Sequence, residues 1–418
     1  MRILVLNEYF PPDTSATAKL AAAVVDALAE RHEVTVLCGR PSYDPAERHP
    51  FQWLRREKRN GKTVVERVGS TTFPRHRMLH RLSNYLTYVG MAIPRALMIR
   101  TDVVLAMTDP PFEGIVGALV STLKRKPFVY NIRDLYPEMA VSGEIVRPAR
   151  WVRFWEKLHR WALRRASRVV VLGDDTRERI IAKGNDPRNV VVVRDGALLP
   201  KDIPDQNHAV TTEVRSGYRF VVLHAGNLGF YGAWDTIVNT ARMLDSEGLG
   251  FVFVGDGAKK AELEASAGEC KAIRFLPFRP ADQVPYVLAA GDLNLITIRR
   301  GLEGVVVPSK LYPILASGRP VLVLADEGSD AARIVRRSGC GLVANPDDPA
   351  ALASLLRELS QDPGRVKRMG ERAAAVAAEF AIDKELRRFV RVMEDATWES
   401  IHGRGFSKTQ GVPNEASF

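Results

Sequence analysis

A carboxylate and an ammonium group bracket an apolar run in "EGVVVPSKLYPILASGRPV", residues 303–321. Glu303 opens the stretch, Val305-Val306-Val307 follows, and Lys310 comes just after the breaker pair Pro308-Ser309. The short apolar segment beyond reads as a buried helix that starts near Ser309, a good cap or first-turn residue. Helix N-termini bind anions through free amides and the helix dipole. A lysine there is locally unfavourable unless an anion is present, so Lys310 points to a phosphate. The plainer alternative is a solvated lysine at an ordinary helix start. Glu303 can accept two hydroxyl hydrogen bonds from a sugar or ribose; its plainer alternative is a solvated loop glutamate.

Three other stretches carry acids at strand ends. "NIRDLYPE" puts Arg133, Asp134 and Glu138 just beyond an apolar run. A carboxylate within hydrogen-bond reach of an acceptor hydroxyl can orient or deprotonate it, which is the role open to Asp134; a helix cap or a salt bridge with Arg133 is the alternative. Asp109, in "TDPP", can touch a bound ligand or simply form a turn. "PPDTSATA" (11–18) is a loop of small residues in which Asp13, Ser15 and Thr17 can meet a phosphate or an acceptor. It holds no GxGxxG, and the lack of that fingerprint disfavours a dehydrogenase.

The elements that must position these residues are legible as alternating β-rich and helical runs. Residues 2–6, 32–38, 102–107, 127–132 and 168–172 read as strands, with helical periodicity over 17–32. A polar linker with two prolines covers 195–216, and a second series follows at 218–229, 250–257, 272–278, 293–298, 320–325 and 341–345. The expectation is an α/β chain of two Rossmann-like doubly wound parallel-sheet domains facing across a cleft. The first spans 1–198 and the second 199–370. Helices over 371–400 return to the first domain, and 401–418 is a disordered tail.

Composition narrows the classes further. Residues 1–200 hold 33 Lys/Arg against 21 Asp/Glu, a net +12, whereas 201–418 hold 27 against 28. A basic half faces a polyanion, either nucleic acid or an anionic lipid surface. The helix expected over 147–168 places Trp151, Phe154, Trp155, Leu158, Trp161 and Ala162 on one face, with Arg153, Lys157, Arg160 and Arg164 opposite. The expectation is an apolar stripe packed mostly in the protein and a basic face toward membrane phosphates. Arg55, Arg56, Lys58, Arg59, Arg75, Arg77 and Arg81 extend that surface, and 82–91 can meet a lipid tail. No apolar run reaches 18 residues, and 84–99 is broken by Pro94 and Arg95, so a spanning helix is not expected. "MRILVLNEYFPP" reads as a buried strand, not a signal peptide. Cys38, Cys270 and Cys340 show no metal spacing and suggest a reducing compartment.

With these residues in view, "EGVVVPSKLYPILASGRPV" resembles the donor-binding motif of glycosyltransferase family 4, retaining enzymes of the GT-B fold. Glu303, Gly304, Pro308, Ala316, Ser317, Gly318, Pro320 and Val321 match the family pattern, and the Pro-Ser-Lys version looks like a branch that builds bacterial surface polysaccharides. "LNEYFPPDTSATA", "RDLYPE", "HAGNLG" (224–229) and "VGDG" (254–257) fall in the expected order. The resemblance implies a donor site made by Gly226, Asn227, Leu228, Gly229, Asp256, Glu303, Pro308, Ser309 and Lys310, with the base near Phe278. Three departures matter. Pro313 stands where the family has its second glutamate, and Asp330 is the candidate substitute. Arg133 stands where some members have His. The family's Arg and Lys after the first strand of the second domain are absent, so the diphosphate's cation must come from elsewhere, and Lys310 is the candidate, with the amides of Gly226 to Gly229 and of Ser309.

The implied function is transfer of a sugar, with retention, from a nucleotide-diphosphate donor such as a UDP-sugar. The acceptor is a polyprenyl-diphosphate-linked sugar or a glycan in O-antigen, capsule or exopolysaccharide synthesis. Asp134, Lys310 and Glu303 are the catalytic candidates; Asp13, Ser15, Thr17, Asp109, Arg133 and Glu138 lie on the acceptor side. No cofactor and no metal are expected, and the place is cytoplasmic, peripheral on the inner membrane face. A nucleotide-sugar epimerase of the same two-domain plan is the first alternative. A basic nucleic-acid-binding protein is the second, disfavoured because no recognition module or aromatic platform is present.

Overall fold

Runs such as "RILVL" and "VLVL" have no polar face, which is the pattern of strands covered on both sides. In the computed structural model, which describes residues 1–42, 50–74, 77–144, 146–199 and 207–402, these runs build two sheets. The first holds β1 (Arg2–Leu6), β2 (Glu33–Cys38), β3 (Leu54–Lys58), β4 (Thr63–Val68), β5 (Val103–Ala106), β6 (Phe128–Ile132), β7 (Arg168–Val171) and β8 (Val190–Val192). Their order is β3-β4-β2-β1-β5-β6-β7-β8. The second holds β9 (Phe220–Ala225), β10 (Leu249–Val254), β11 (Ile273–Leu276), β12 (Leu293–Thr297), β13 (Val321–Leu324) and β14 (Gly341–Ala344), in the order β11-β10-β9-β12-β13-β14.

The second sheet is parallel throughout. The first is mixed, because β3 runs antiparallel to β4, which corrects the expectation of an all-parallel sheet. β3 reads "LRREK" and is almost wholly exposed. Charge on an edge strand deters pairing with other chains, and it also removes the apolar pattern by which a strand is recognised. In each sheet the chain winds outward from one strand, then returns to that strand's other side. The crevices lie between β1 and β5 and between β9 and β12, and ligands of open α/β sheets bind at such switch points, beyond the carboxyl ends of the strands.

Helices cover both faces of the first sheet. Met78–Met98, Glu113–Lys124 and Arg150–Arg165 pack on one face. Ala16–Ala29 and the last helix, Ile382–His402, pack on the other. Phe389 and Met393 of that last helix are 3% and 0% exposed. Burying a side chain of that size contributes roughly 1.5–3 kcal/mol relative to exposing it, so the chain's last helix is anchored in the first core, not the second. Ile401 and His402, expected in the tail 401–418, close this helix instead, and the rest of that tail and Arg75 lie outside the described residues.

The basic helix differs from its expected orientation. Its buried residues are Val152, Trp155, His159, Ala162 and Leu163, while Trp151 and Phe154 are 50% and 62% exposed. Trp155 contacts Phe112 and Tyr136 and stacks with Trp151, so the packed stripe is rotated from the one expected. Among the described residues no helix is long and apolar enough to cross a membrane.

Candidate active site

β9 carries one polar residue into the core, His224, which is 2% exposed. Its Nε2 lies 3.1 Å from Lys310 Nζ. Burial and the Lys310 charge hold the His224 ring well below the usual imidazole range, so the ring is neutral and can accept a hydrogen bond from the ammonium. Burial also pulls Lys310 down to about 8. Among the described residues no carboxylate pairs with Lys310. A desolvated ammonium held only by a neutral ring is left with its charge uncompensated, which suits a phosphate.

Gly226 follows at φ +128, and a Cβ there would sit 3.3 Å from Lys310 Nζ, so the loop after β9 and Lys310 do meet. Gly255, at φ +151, lies so close that a Cβ would come within 2.1 Å of Gly226 O. The two loops are therefore zipped together: Gly226 N donates to Val254 O at 2.9 Å and Leu228 N to Asp256 O at 2.8 Å. This corrects the expected phosphate cradle. Two of its four amides are spent within the domain, and the Leu228 side chain is 0% exposed in the core. Asn227 is exposed, Asp256 Oδ1 accepts from Gly257 N at 2.8 Å, and Phe278 stands 72% exposed beyond β11.

The motif helix is shorter than expected. It spans Leu311–Ala316 with Lys310 as N-cap, so Ser309 precedes the cap and Pro308 O accepts from Leu311 N at 3.2 Å. Pro313 occupies the first turn, where a missing N–H costs no helical hydrogen bond. Glu303 Oε1 accepts from Gly301 N at 3.0 Å, and its Oε2 lies 4.0 Å from Arg179 Nη2. Asp330 does not join this group. It is 2% exposed and accepts from Arg194 Nη2 at 2.7 Å, so an internal ion pair holds it and it does not replace the family's second glutamate beside Lys310.

The first domain brings Asp134 to the same place. It sits past the end of β6, and its backbone forms an antiparallel bridge with Val306. Leu135 N donates to Val305 O at 3.4 Å. Burial, with the charges of Asp109 and Asp195, pushes the Asp134 carboxyl up to about 7 against the opposing pull of Arg133. Asp134 and Asp109 are thus neighbours on the cleft wall. Behind them Glu113, 0% exposed, accepts from Tyr88 Oη at 3.1 Å, and burial holds its carboxyl well above the usual range.

Several acceptor-side candidates have internal partners instead. Arg133 forms a buried ion pair with Asp195. Glu138 pairs with Lys183, which also holds Glu156 at 2.9 Å. Ser15 caps the first helix, accepting from Ala18 N at 3.1 Å, with Thr17 Oγ1 3.2 Å from its hydroxyl. Asp13 accepts from Ser42 N at 2.9 Å. Glu113, Arg179 and Asp175 carry no signal in the sequence, and His224 stands there only as the first residue of "HAGNLG".

Comparisons with known proteins identify the two domains. Residues 16–196 match the family described as glycosyl transferase 4-like domain, and 219–362 match glycosyl transferases group 1. The chain is 29% identical to the probable glycosyltransferase WbjE of Pseudomonas aeruginosa, over 69% of this chain and 75% of the relative. It is 24% identical to the putative colanic acid biosynthesis glycosyl transferase WcaI of Escherichia coli, over 93% and 99%. HepE of Anabaena, solved with UDP-glucose, superposes with a TM-score of 0.67 at 17% identity, covering 94% of this chain and 99% of its own. WaaG, a glycosyltransferase involved in lipopolysaccharide biosynthesis, gives 0.67 at 16% identity, covering 94% and 99%. Two switch-point crevices, one with an uncompensated lysine and one with a raised aspartate, thus sit in a chain that is a glycosyltransferase of the GT-B kind, built from a glycosyl transferase 4-like domain and a group 1 domain.

Proposed function

We propose that the protein transfers a sugar, with retention, from a UDP-linked donor to a polyprenyl-diphosphate-linked sugar or glycan in surface-polysaccharide synthesis. The observation that carries the reading is Lys310: a half-buried ammonium with no carboxylate partner among the described residues, set against Gly226 at the end of β9. The diphosphate lies against Lys310, and Glu303 accepts from sugar hydroxyls. The bond from the anomeric carbon to the diphosphate breaks, its electrons going to the phosphate oxygen that Lys310 stabilises. The acceptor oxygen, oriented by ionised Asp134, bonds to the same face of that carbon, and its proton passes to the departing phosphate oxygen. No metal or cofactor has a part in this scheme. HepE's complex with UDP-glucose and WcaI's name support the donor and the pathway class.

The test is product analysis. Purified protein is incubated with UDP-sugars or GDP-sugars, with and without a lipid-linked acceptor, and the anomeric signals are followed by NMR. Acceptor-dependent release of UDP with an α-linked product from an α-linked donor is the expected result. An inverted product, or a rearranged nucleotide sugar formed without acceptor, would sink the reading, and the latter would favour an epimerase.

The place of work in this proposal is the cytoplasmic membrane face. Along Met78–Met98 the exposed residues Leu79, Leu82, Leu86, Pro94 and Leu97 recur at helical spacing, and Leu119, Leu123, Trp151 and Phe154 are exposed on the adjoining helices. Arg77, Arg150 and Arg153 are exposed with them, the pairing that suits an anionic interface. Arg59, part of the basic surface expected from the sequence, pairs with Asp26 at 3.0 Å. Leu79 and Leu86 are 78% and 58% exposed, so Leu79→Asp with Leu86→Asp leaves the fold intact. Losing two inserted leucines, roughly 1.5–3 kcal/mol each, is expected to cut binding to phosphatidylglycerol vesicles at least about tenfold. Unchanged co-sedimentation would rule this face out.

A further inference from the structure

Two helices, one from each domain, meet end to end. Asp174–Ala182 follows β7 of the first sheet, and Asp330–Ser338 follows β13 of the second. Helix N-termini carry free amides and a partial positive charge. Here each supplies the other's missing acceptor: Asp330 Oδ1 accepts from Asp174 N at 3.0 Å, and Asp175 Oδ2 accepts from Asp330 N at 2.9 Å. Asp175 and Asp330 are 4% and 2% exposed. Arg194 offsets the paired acids, reaching Asp330 at 2.7 Å and Asp174 at 2.9 Å. A Cβ at Gly173 would lie 2.9 Å from that of Asp330, so glycine is what lets the two ends approach.

The Asp175 carboxylate has a second donor from the other domain. Asp175 Oδ2 also accepts from Gly304 N at 3.1 Å, the residue directly after Glu303. Gly304 adopts φ +69, and a Cβ there would come 2.6 Å from the Asp175 backbone. Arg179, one turn further along the helix, donates to Glu303 O and, at 2.9 Å, to Gly301 O. So the loop that carries Glu303 belongs to the second domain but takes its shape from a helix of the first.

We propose that Asp175 is a positioning residue that latches the two domains and thereby sets the Glu303 loop, so that this part of the donor site is complete only in the closed arrangement. Interdomain contacts of GT-B size are open to relative motion, and separation of the domains would break both Asp175 hydrogen bonds together. The coupling to donor binding rests on the reading of Glu303 given above; the latch itself does not.

The test reads the amides directly, by hydrogen exchange on the ligand-free full chain. In Asp175→Ala the amides of Gly304 and Asp330 are expected to exchange at least tenfold faster. Those of Ala332, capped by Ser329 at 3.3 Å, and of Val323 in β13 serve as controls and should not change. Asp175→Asn, which keeps one acceptor oxygen, should recover part of the protection and covers the case in which the alanine variant does not fold. Arg179→Gln should loosen Gly304 alone. UDP-glucose affinity should fall at least tenfold in Asp175→Ala and less in Asp175→Asn. Unchanged protection at Gly304 and Asp330, or equal acceleration at the control amides, overturns the latch. A wild type that binds no UDP-glucose would sink the donor reading, while the exchange comparison would still decide the latch.

Discussion

Lys310→Ala is expected to weaken UDP binding by roughly 30-fold to several thousand-fold in a metal-free calorimetric titration. Truncating one partner of a desolvated charge pair costs about 2–5 kcal/mol, and each 1.4 kcal/mol is about a factor of ten. The upper part of the range is favoured because, among the described residues, Lys310 is the cation set against Gly226. The Arg and Lys expected of the family are absent, and the amides of Gly226 and Leu228 are bonded to Val254 and Asp256. The pH dependence gives a second readout with a definite sign. Burial lowers Lys310 to about 8, so the ammonium that binds the diphosphate is present below that value and lost above it. Between pH 7 and 9, above the phosphate's own ionisation near ~6, wild-type affinity should fall as pH rises while the variant's stays level. Arginine is a poor substitute, because a planar fork does not fit the point position between His224 and Gly226. A folded Lys310→Ala protein that binds UDP as wild type does would remove Lys310 from the mechanism.

The sequence made the two-sheet plan legible because parallel strands buried on both faces read as apolar runs; β5 and β13 are unbroken, and β1 and β6 depart only at Arg2 and Asn131. β3 escaped because an edge strand guarded by Arg55, Arg56 and Lys58 has no apolar pattern to find. β4 escaped for a related reason: Glu66 and Arg67 are buried within it, matched by Arg95 at 2.7 Å and Glu57 at 2.9 Å, and those partners are distant in sequence. At the site, Glu303, Lys310 and Asp134 stood out because each is an ionisable group at a strand or helix terminus. His224 and Asp175 did not, since what distinguishes them is a contact with a residue 86 or 129 positions away. Asp330 was misread for the same reason: its partner, Arg194, comes from the other domain. Local spacing finds the groups able to do chemistry. It does not reveal which of them an ion pair has already claimed.

Asp134→Asn should separate binding from transfer. The proposed role is to accept a hydrogen bond from the acceptor hydroxyl, and loss of a positioned acid–base group costs about 10²–10⁴ in rate. Asparagine keeps the shape and the backbone bridge to Val306, so UDP affinity should stay within about twofold while turnover drops. In the wild type, kcat/KM should rise with pH through about 7 as Asp134 ionises and decline through about 8 as Lys310 loses its proton. The variant should lose the acid limb and keep the basic one. Stability supplies an independent check. An aspartate whose folded pKa is raised holds a proton in the native state that the unfolded chain has released, so stability falls as pH climbs from the ordinary carboxylate range to about 7 and is level above it. Asparagine has no proton to lose. The melting temperature of the variant should therefore gain on that of the wild type between pH 5 and 8, even as its activity is lost. Glu113 also titrates from a raised value, but it does so in both proteins and cancels in the difference. A variant that is slower yet follows the wild type's melting curve at every pH would show that Asp134 is already ionised at low pH, and its part in setting the acid limb would have to be given up.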